Sequence, residues 1–377
     1  MRSSPHFRDG AFRNERPIDG LDVTDYLPLL RESLNREARA RRHPARPVPV
    51  RRPDLTLPPV TGLRITWMGH ATVLVEIDGL RVLFDPVWGT RCSPVGFAGP
   101  RRLHPVPLPL GDVGPVDAVV ISHDHYDHLD LPTIRALVGT RTRFCVPLGV
   151  GAHLERWGVP TSRIDELDWY ESTRVKDVEF TATPAQHCCG RGVRRRALSL
   201  WASWVVAGPE HRVHHTGDTG YFPGFARIGE RYGPFDLSMI QIGAYSRLWP
   251  DIHMTPEEGV RAHRDLRGGV LLPIHWATFD LAPHPWEEPA ERILRAAAEH
   301  DIPLAVPRPG EVFEPGMPLG GLPADTWWRE CARGPAATPS RRTAEPAADA
   351  AEKPVVVDPV VERTGDPRGP AAPTGTV

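Results

Sequence analysis

The chain has 377 residues, of which 40% are hydrophobic, so it is long enough to bury a large core. It is also unusually rich in proline, with 43 residues. Its formal net charge is −2, because 45 Lys and Arg nearly balance 47 Asp and Glu, and no overall basic charge favours nucleic acid as a partner.

Cysteine use and the N-terminal residues indicate the cellular compartment. The five cysteines lie at irregular spacings without a C-x-x-C pair, which argues against a disulfide scaffold and against a thiolate zinc cluster. The first residues are polar, and no run of about 18 apolar residues occurs in the sequence. We therefore expect a cytoplasmic protein without a transmembrane segment.

Two flanking segments differ in composition from the middle of the chain. Residues 1–59 form an Arg- and Pro-rich arm with one predicted helix, 24–42, which begins apolar and ends basic. We expect this arm to pack on the domain, and a membrane-surface anchor is the alternative. Residues 335–377 are rich in Ala, Pro and Thr without periodicity, which predicts a disordered tail.

The segment between the arm and the tail alternates strand and helix patterns. Apolar, β-branched runs predict strands at 63–67, 72–77, 81–84, 118–122, 143–147, 178–184, 198–207, 212–215, 237–241 and 270–274. Helical patterns lie at 131–138, 149–157, 255–267 and 286–300, the third with a capping signal in Thr255, Pro256 and Glu258. Two sheets covered by helices, a four-layer αββα sandwich, are therefore expected in one domain over residues 60–315.

The most informative motif is His123-Asp124-His125-Tyr126-Asp127-His128, directly after the apolar run 117–122. Backbone alternation sends His123 and His125 one way, while Asp127 and His128 turn toward a neighbouring position. Imidazoles and carboxylates are metal ligands, and so many in one strand-end segment are unusual for a solvated loop. The motif predicts a site for two metal ions.

Three further strand ends carry ligand-type residues. His187 follows the strand 178–184, and His275 follows the strand 270–274. Asp218 follows the strand 212–215 and is flanked by glycines, which let the backbone approach an ion closely. Since loops at one edge of stacked sheets can converge, these residues are predicted to share a cleft with the motif.

This series of residues resembles the metallo-β-lactamase superfamily of dinuclear hydrolases, whose fold is an αββα sandwich. Longer stretches resemble one branch of it, the N-acylphosphatidylethanolamine-hydrolysing phospholipase D enzymes. The stretches are 66–73 (TWMGHATV), 84–86 (FDP), 121–123 (ISH), 183–187 (TPAQH), 217–221 (GDTGY), 233–237 (GPFDL), 242–245 (IGAY) and 274–276 (IHW). The resemblance runs from about Thr61 to His275 and more faintly to about Phe313.

The resemblance implies a ligand set for two zinc ions. One ion is held by His123, His125 and His187, the other by Asp127, His128 and His275, and Asp218 bridges the two. Two zinc ions lower the pKa of a bridging water from 15.7 to about 7, so a hydroxide can attack a phosphodiester at neutral pH. A β-lactamase would typically carry Cys where Asp218 stands, so the resemblance argues against antibiotic hydrolysis.

Several further residues are candidates for roles around the metals. We expect Asp127, Asp218 and His253 to be catalytic. For His253 two interpretations stay open, contact with substrate or leaving group and a histidine in a surface loop. Asp124 is expected to be a supporting or solvated carboxylate. His70 is either a buried hydrogen-bond donor to a ligand or a core histidine. Trp201, Trp204, Trp249, Trp276 and Trp286 either line an apolar mouth or belong to the core.

The function implied by the resemblance is phospholipase D-type cleavage of N-acylphosphatidylethanolamine or related glycerophospholipids. It also implies a phospholipid partner, peripheral membrane contact and a homodimer. Asp124 and Ile252 stand where these enzymes tend to carry Asn and Gln, the second at a place where a head group would be recognised. A soluble-substrate metallohydrolase, such as a sugar-phosphate lactonase, is the second candidate. A non-catalytic metal-binding module is the third.

Overall fold

The computed structural model describes residues 4–18, 36–192, 197–318 and 321–332. Within these ranges the strands are β1 (Phe7–Arg8), β2 (Ala11–Phe12), β3 (Leu63–Gly69), β4 (Thr72–Ile77), β5 (Leu80–Phe84), β6 (Ala118–Val120), β7 (Arg143–Pro147), β8 (Ile164–Leu167), β9 (Ser172–Val175), β10 (Val178–Thr183), β11 (Ser203–Ala207), β12 (Arg212–His215), β13 (Phe235–Gln241), β14 (Gly268–Ile274) and β15 (Val312–Phe313). The helices are α1 (Arg36–Arg41), α2 (Leu131–Leu137), α3 (Gly151–Arg156), α4 (Gly224–Tyr232), α5 (Pro256–Asp265), α6 (Glu288–Ala298) and α7 (Trp327–Ala332). The predicted tail and residues 24–35 of the predicted arm helix lie outside the described residues.

One sheet has seven strands in the order β15-β3-β4-β5-β6-β7-β8. Strands β3, β4 and β5 pair antiparallel, and β4 is joined to β5 by the two-residue turn Asp78-Gly79. Both turn residues have positive φ angles, 47° and 85°, as a hairpin turn that matches the strand twist requires. Strands β5 to β8 pair parallel, so their carboxyl ends share one edge of the sheet.

The other large sheet has six strands in the order β14-β13-β12-β11-β10-β9. Strand β11 pairs antiparallel with both β10 and β12, whereas β12, β13 and β14 pair parallel. Strands β10, β12 and β14 therefore run in one direction, and the loops that follow them leave the sheet at the same edge.

Hydrophobic side chains fill the space between and outside the sheets. Buried residues of both sheets, such as Trp67 and Trp204, share one core cluster. Ile134 of α2 and Leu154 of α3 pack on the outer face of the seven-stranded sheet, and Val260 of α5 packs on the six-stranded one. The fold is the predicted four-layer αββα sandwich.

Helix α5 begins as its sequence predicts. The hydroxyl of Thr255 accepts a hydrogen bond from the backbone N–H of Glu258 at 3.3 Å, and the Glu258 carboxylate accepts one from the Thr255 N–H at 2.8 Å. This reciprocal capping satisfies two amides that have no partner within the helix. It fixes the start of α5 three residues after His253.

The structure adds elements that the sequence pattern did not predict. Strands β8 and β9 are two of them, and both are short edge segments rich in polar residues. Helix α4 is a third. It contains Gly229, where a Cβ atom would lie 2.1 Å from the backbone oxygen of Asp265, so only glycine fits there. The predicted strand 198–207 is a strand only from Ser203. Before that point the chain crosses to the other sheet, where the Ala202 N–H donates to the Ser122 oxygen at 2.9 Å.

Residues 4–18 lie against the sandwich. The Phe12 side chain is buried, and its N–H donates to the oxygen of Ala197 at 2.8 Å. At the other end of the described chain, Trp327 and Trp328 of α7 are buried beside Trp276. Within the described ranges, no helix has both the length and the apolar character needed to cross a membrane.

Candidate metal centre

The loop after β6 carries the histidine-rich motif and is fixed where it starts. Asp85, at the carboxyl end of β5, accepts hydrogen bonds from the Ser122 N–H and the Ser122 hydroxyl, both at 2.7 Å. Because β5 and β6 are parallel neighbours, both strands deliver their following residues to the same edge. Asp85 thereby holds the start of the motif in place.

The first group of predicted ligands comes from three loops. Atom Nδ1 of His125 lies 2.8 Å from Nε2 of His123 and 3.4 Å from Nε2 of His187. Oδ2 of Asp218 is 3.8 Å from each of those Nε2 atoms. All four ligand atoms lie within 4.8 Å of one another, a spacing that one metal ion can span.

The second group joins the rest of the motif to the loop after β14. Oδ2 of Asp127 lies 3.4 Å from Nε2 of His128 and 3.3 Å from Nε2 of His275. His70, which follows β3, belongs to the same group, with its Nε2 at 2.9 Å from the same Asp127 oxygen. Its place settles the question left by the sequence, because its ring nitrogen contacts a predicted ligand.

Asp218 connects the two groups. Its Oδ2 atom is 3.1 Å from Nε2 of His128, and its Oδ1 atom is 3.1 Å from Nε2 of His275. The structure therefore brings all seven predicted ligands into one cluster, with Asp218 at its centre as the resemblance implies.

The cluster has the burial and charge expected of a cation site. His128 Nε2 and Asp218 Oδ1 are both buried, and although each has a polar atom of the cluster at 3.1 Å, neither makes a hydrogen bond of suitable geometry among the described residues. Leaving such atoms unsatisfied is costly unless a cation binds them. Burial and the nearby His125 imidazole hold the pKa of His123 and His187 well below the usual histidine range, which favours the neutral form that ligates metals.

In the second group, nearby carboxylates oppose the effect of burial on the pKa of the histidines. Burial lowers the pKa of His275, but Asp218 and Asp127 raise it, to about 9. In the same way, the charges of Asp218, Asp127 and Asp85 outweigh burial and raise the pKa of His128 well above its ordinary value. The excess of carboxylate charge in this buried region attracts cations.

Hydrogen bonds to the other ring nitrogens orient several of these histidines. Nδ1 of His128 lies 2.7 Å from Oδ2 of Asp85, and Nδ1 of His187 lies 3.0 Å from the oxygen of Ile252. Contacts of this kind fix the ring orientation and leave Nε2 free to face a metal. Asp85 was not among the predicted functional residues, although its place at the end of an apolar strand was a usable signal.

His253 lies at the edge of the cluster. Its Nε2 atom is 3.9 Å from Oδ2 of Asp218, and its ring packs edge-on against His187. Burial outweighs the pull of Asp218 and lowers the pKa of His253 to about 4, so the imidazole is neutral at pH 7. His253 is therefore part of the centre and not a surface loop residue.

The remaining candidates have mainly supporting positions. Asp124 is buried and accepts a hydrogen bond from the Gly190 N–H at 2.7 Å, so it is not solvated. The hydroxyl of Tyr126 donates to the oxygen of Arg191. Of the five tryptophans considered for an apolar mouth, only Trp249 is partly exposed; the other four are core residues, Trp201, Trp204, Trp276 and Trp286. All five cysteines are free thiols, and only Cys188 is not fully buried.

The N-terminal arm contacts the centre, which the sequence did not indicate. The Asn14 side chain donates from Nδ2 to the His187 oxygen at 2.7 Å, and its Oδ1 accepts from the His187 N–H at 3.1 Å. The same oxygen accepts from Nε1 of Trp201 at 2.8 Å. A lone Asn in a polar arm has no pattern that could reveal this role.

A cavity of about 510 Å³ opens between the arm and His187. Phe12, Ile18 and Trp201 give it apolar wall area, and Arg13 and Arg16 of the arm add positive charge. Glu15 also lines the cavity, and its carboxylate pairs with Arg227. It is a cavity that could hold an amphiphilic anion beside a predicted ligand.

Comparison with known proteins supports this description. The model of the family described as a beta-lactamase superfamily domain matches residues 80–276. An uncharacterized protein of Mycobacterium tuberculosis is 51% identical over 332 residues, which cover 86% of this chain and 88% of that one. The N-acyl-phosphatidylethanolamine-hydrolyzing phospholipase D 1 of Caenorhabditis elegans is 39% identical over 233 residues, which cover 59% of this chain and 65% of that protein.

A solved structure has the same fold. The metallo hydrolase Igni18 from the archaeon Ignicoccus hospitalis superimposes with a TM-score of 0.51 at 24% identity, covering 67% of this chain and 98% of that one. Sequence match, fold and clustered ligand residues agree. The chain therefore belongs to the metallo-β-lactamase superfamily, as a metal-dependent hydrolase similar to the phospholipase D enzymes that hydrolyse N-acylphosphatidylethanolamine.

Proposed function

We propose that the protein is a zinc-dependent phosphodiester hydrolase that cleaves N-acylphosphatidylethanolamine or related glycerophospholipids in phospholipase D fashion. The observation that carries the proposal is the position of Asp218, whose two oxygens face both groups of ligand-type residues. All ligand-type atoms around it are imidazole nitrogens and carboxylate oxygens, without a thiolate. The name of the Caenorhabditis elegans relative adds the substrate class.

The residues fit a pair of zinc ions. His123, His125 and His187 would hold one ion, Asp127, His128 and His275 the other, and Asp218 both, since neutral imidazoles and carboxylates suit zinc. When bound, such a pair supplies a water activated at neutral pH and positive charge against the phosphate oxygens.

The cavity between the arm and His187 suits a phospholipid head group. Arg13 and Arg16 can pair with the phosphodiester charge, while Phe12, Ile18 and Trp201 contact apolar parts of the same molecule. A substrate placed there has its phosphorus beside the predicted ligands. By positioning the phosphate, the arm would align the phosphorus for in-line attack.

His253 is placed to assist the leaving group. A neutral imidazole has one N–H and one free nitrogen, and Nδ1 of His253 has no hydrogen-bond partner among the described residues. With its Nε2 directed at Asp218, the ring can orient the leaving alkoxide by a hydrogen bond.

The test is a product analysis with protein loaded with zinc. Vesicles containing N-acylphosphatidylethanolamine are incubated in water enriched in ¹⁸O, and we expect phosphatidic acid carrying the label together with unlabelled N-acylethanolamine. Release of diacylglycerol would contradict phospholipase D-type cleavage. No product, combined with turnover of a sugar-phosphate lactone, would favour the soluble-substrate hydrolase instead. The Asp218→Asn variant is the control for contaminating activity.

A further inference from the structure

A loop beside the metal centre carries the most exposed aromatic side chain in the described part of the chain. Residues 91–101, which we call the finger loop, are closed at the base by the antiparallel bridge between Arg91 and Arg101. Near the tip, Phe97 is 84% exposed and Val95 is 38% exposed. Among the described Phe, Trp and Tyr residues, only Phe97 is classed as exposed. Phe97 and Val95 together give the loop a small apolar tip.

Positive charge surrounds the finger loop. A cavity of about 570 Å³ on one side is lined by Arg91, Arg135, Arg156 and Arg191, and a second cavity of about 570 Å³ on the other side contains Arg91 again and Arg101. Within the described residues, Arg91, Arg101, Arg135 and Arg156 form no ion pair with a carboxylate. The chain as a whole has a net charge of −2, so this basic area is local.

The carboxylates that line the two cavities are already engaged. Asp130 caps helix α2 by accepting from the Thr133 N–H at 3.2 Å, and it also accepts from the Gly89 N–H at 3.1 Å. Asp280 lies 3.6 Å from the Arg42 side chain and 3.7 Å from that of His43. Neither carboxylate pairs with the four guanidinium groups. Arg91 donates one hydrogen bond to the Gly99 oxygen within the loop, and all four groups lack a carboxylate partner and can meet an external anion.

The finger loop is coupled to the metal centre through packed side chains. Arg102, next to its base, donates to the oxygen of Val87, and its guanidinium lies 5.0 Å from the centre of the Phe279 ring. That ring packs edge-on at 5.1 Å against His70, which contacts Asp127. Tyr126, between two predicted ligands, lines the first cavity. A partner that binds to the finger loop therefore lies close to the metal centre.

We propose that the finger loop and its surrounding arginines form a docking surface for an anionic phospholipid bilayer. An exposed aromatic flanked by unpaired guanidinium groups matches the chemistry of a membrane interface, where the ring enters the acyl boundary and the charges meet lipid phosphates. The surface deepens the proposed function, because it delivers the centre to a lipid substrate. Docking itself requires no hydrolysis.

The test is sedimentation of the zinc-loaded protein with sucrose-loaded vesicles that contain no N-acylphosphatidylethanolamine. We expect binding to phosphatidylcholine vesicles with 30% phosphatidylglycerol, and at least tenfold weaker binding without the anionic lipid or in 0.5 M salt. The expected change in binding follows from roughly fivefold in affinity for each arginine that meets an anionic lipid surface. Salt at this concentration screens those contacts. Because no substrate is present, failure here and failure of the proposed hydrolysis are separate results.

Matched variants separate the surface from general charge and hydrophobicity. Arg135→Glu combined with Arg156→Glu should weaken binding at least tenfold, while Arg264→Glu combined with Arg267→Glu, exposed residues at the end of α5, should not. Phe97→Ser should weaken binding several-fold, while Val60→Ser, at an 88% exposed valine, should not. Absent binding of the unaltered protein, or equal losses in variants and controls, would overturn the proposal. Near-ultraviolet circular dichroism checks that each variant is folded.

Discussion

Nε2 of His70 lies 2.9 Å from Oδ2 of Asp127, the carboxylate that the family resemblance assigns to the second metal ion. The His70 backbone is held with φ at 56°, its N–H donates to the Thr278 hydroxyl at 2.7 Å, and its ring is buried against Phe279. A residue in the left-handed region is retained only when its surroundings fix it. The contact with the fixed His70 ring therefore orients the Asp127 carboxylate.

Replacing His70 by Gln should lower metal affinity at the second group about 10- to 100-fold, because Asp127 loses the contact that orients it. The first group should keep its affinity. Competition titration with a chromophoric chelator measures both. His263→Gln is the control, since His263 is also buried and lies 2.6 Å from a hydroxyl, that of Ser238. Loss of one whole metal equivalent would contradict a positioning role and make His70 a ligand.

Replacing Asp85 by Asn should also weaken the second group about 10- to 100-fold, because His128 Nδ1 then faces an amide in place of a carboxylate at 2.7 Å. A cobalt-substituted sample should show a changed visible absorption spectrum in this variant. An unchanged spectrum and affinity would show that His128 does not depend on Asp85. Asp117→Asn, at a more exposed carboxylate that pairs with Lys176, provides the control.

Replacing Asn14 by Ala should lower the metal affinity of the first group of ligands. It should also lower the free energy of unfolding by about 1–3 kcal/mol, because three hydrogen bonds to His187 and Trp201 are lost. Asn14→Asp keeps the accepting oxygen and removes the donor, so its metal affinity and its free energy of unfolding should lie between those of the parent and of Asn14→Ala. Chemical unfolding and metal titration on the three proteins measure both effects. Wild-type values in Asn14→Ala would show that the arm does not fix His187.

His214 gives a prediction about pH. Its ring is fully buried and neither nitrogen has a hydrogen-bond partner among the described residues, and burial lowers its pKa to about 3. The unfolded chain binds this proton near pH 6.5 and the folded chain does not, so protonation favours unfolding as the pH falls below about 6.5, by up to about 1.4 kcal/mol per pH unit.

His214→Leu should therefore lose less stability than the parent between pH 7 and pH 5. Urea unfolding of metal-free protein at the two values measures the difference. His300→Leu, at an exposed histidine, should keep the parent's pH dependence. A parent-like dependence in His214→Leu would contradict the role of buried, neutral His214.

The ligands were predictable from sequence because each follows an apolar strand, and the carboxyl ends of parallel strands share an edge. This local rule placed His187 and Asp218 in one cleft although they are 31 positions apart in the sequence. The four-layer arrangement followed from the order of strand and helix patterns in the same way.

Contacts between distant segments were not predictable. The crossing at Ala202, the hold of Asn14 on His187 and the packing of Phe279 on His70 depend on tertiary proximity that leaves no periodic signal. Edge strands such as β8 carry charged residues because one side meets solvent, and this removes the apolar pattern used to predict strands.

The most direct test of the account is the metal content of purified protein, measured by inductively coupled plasma mass spectrometry beside quantitative amino-acid analysis. We predict two zinc equivalents per chain in the parent and fewer than two in Asp218→Asn, since this side chain contacts both groups of ligands. Asp236→Asn, at an exposed carboxylate, should keep two. A parent protein that binds no zinc after dialysis against the metal would contradict the account.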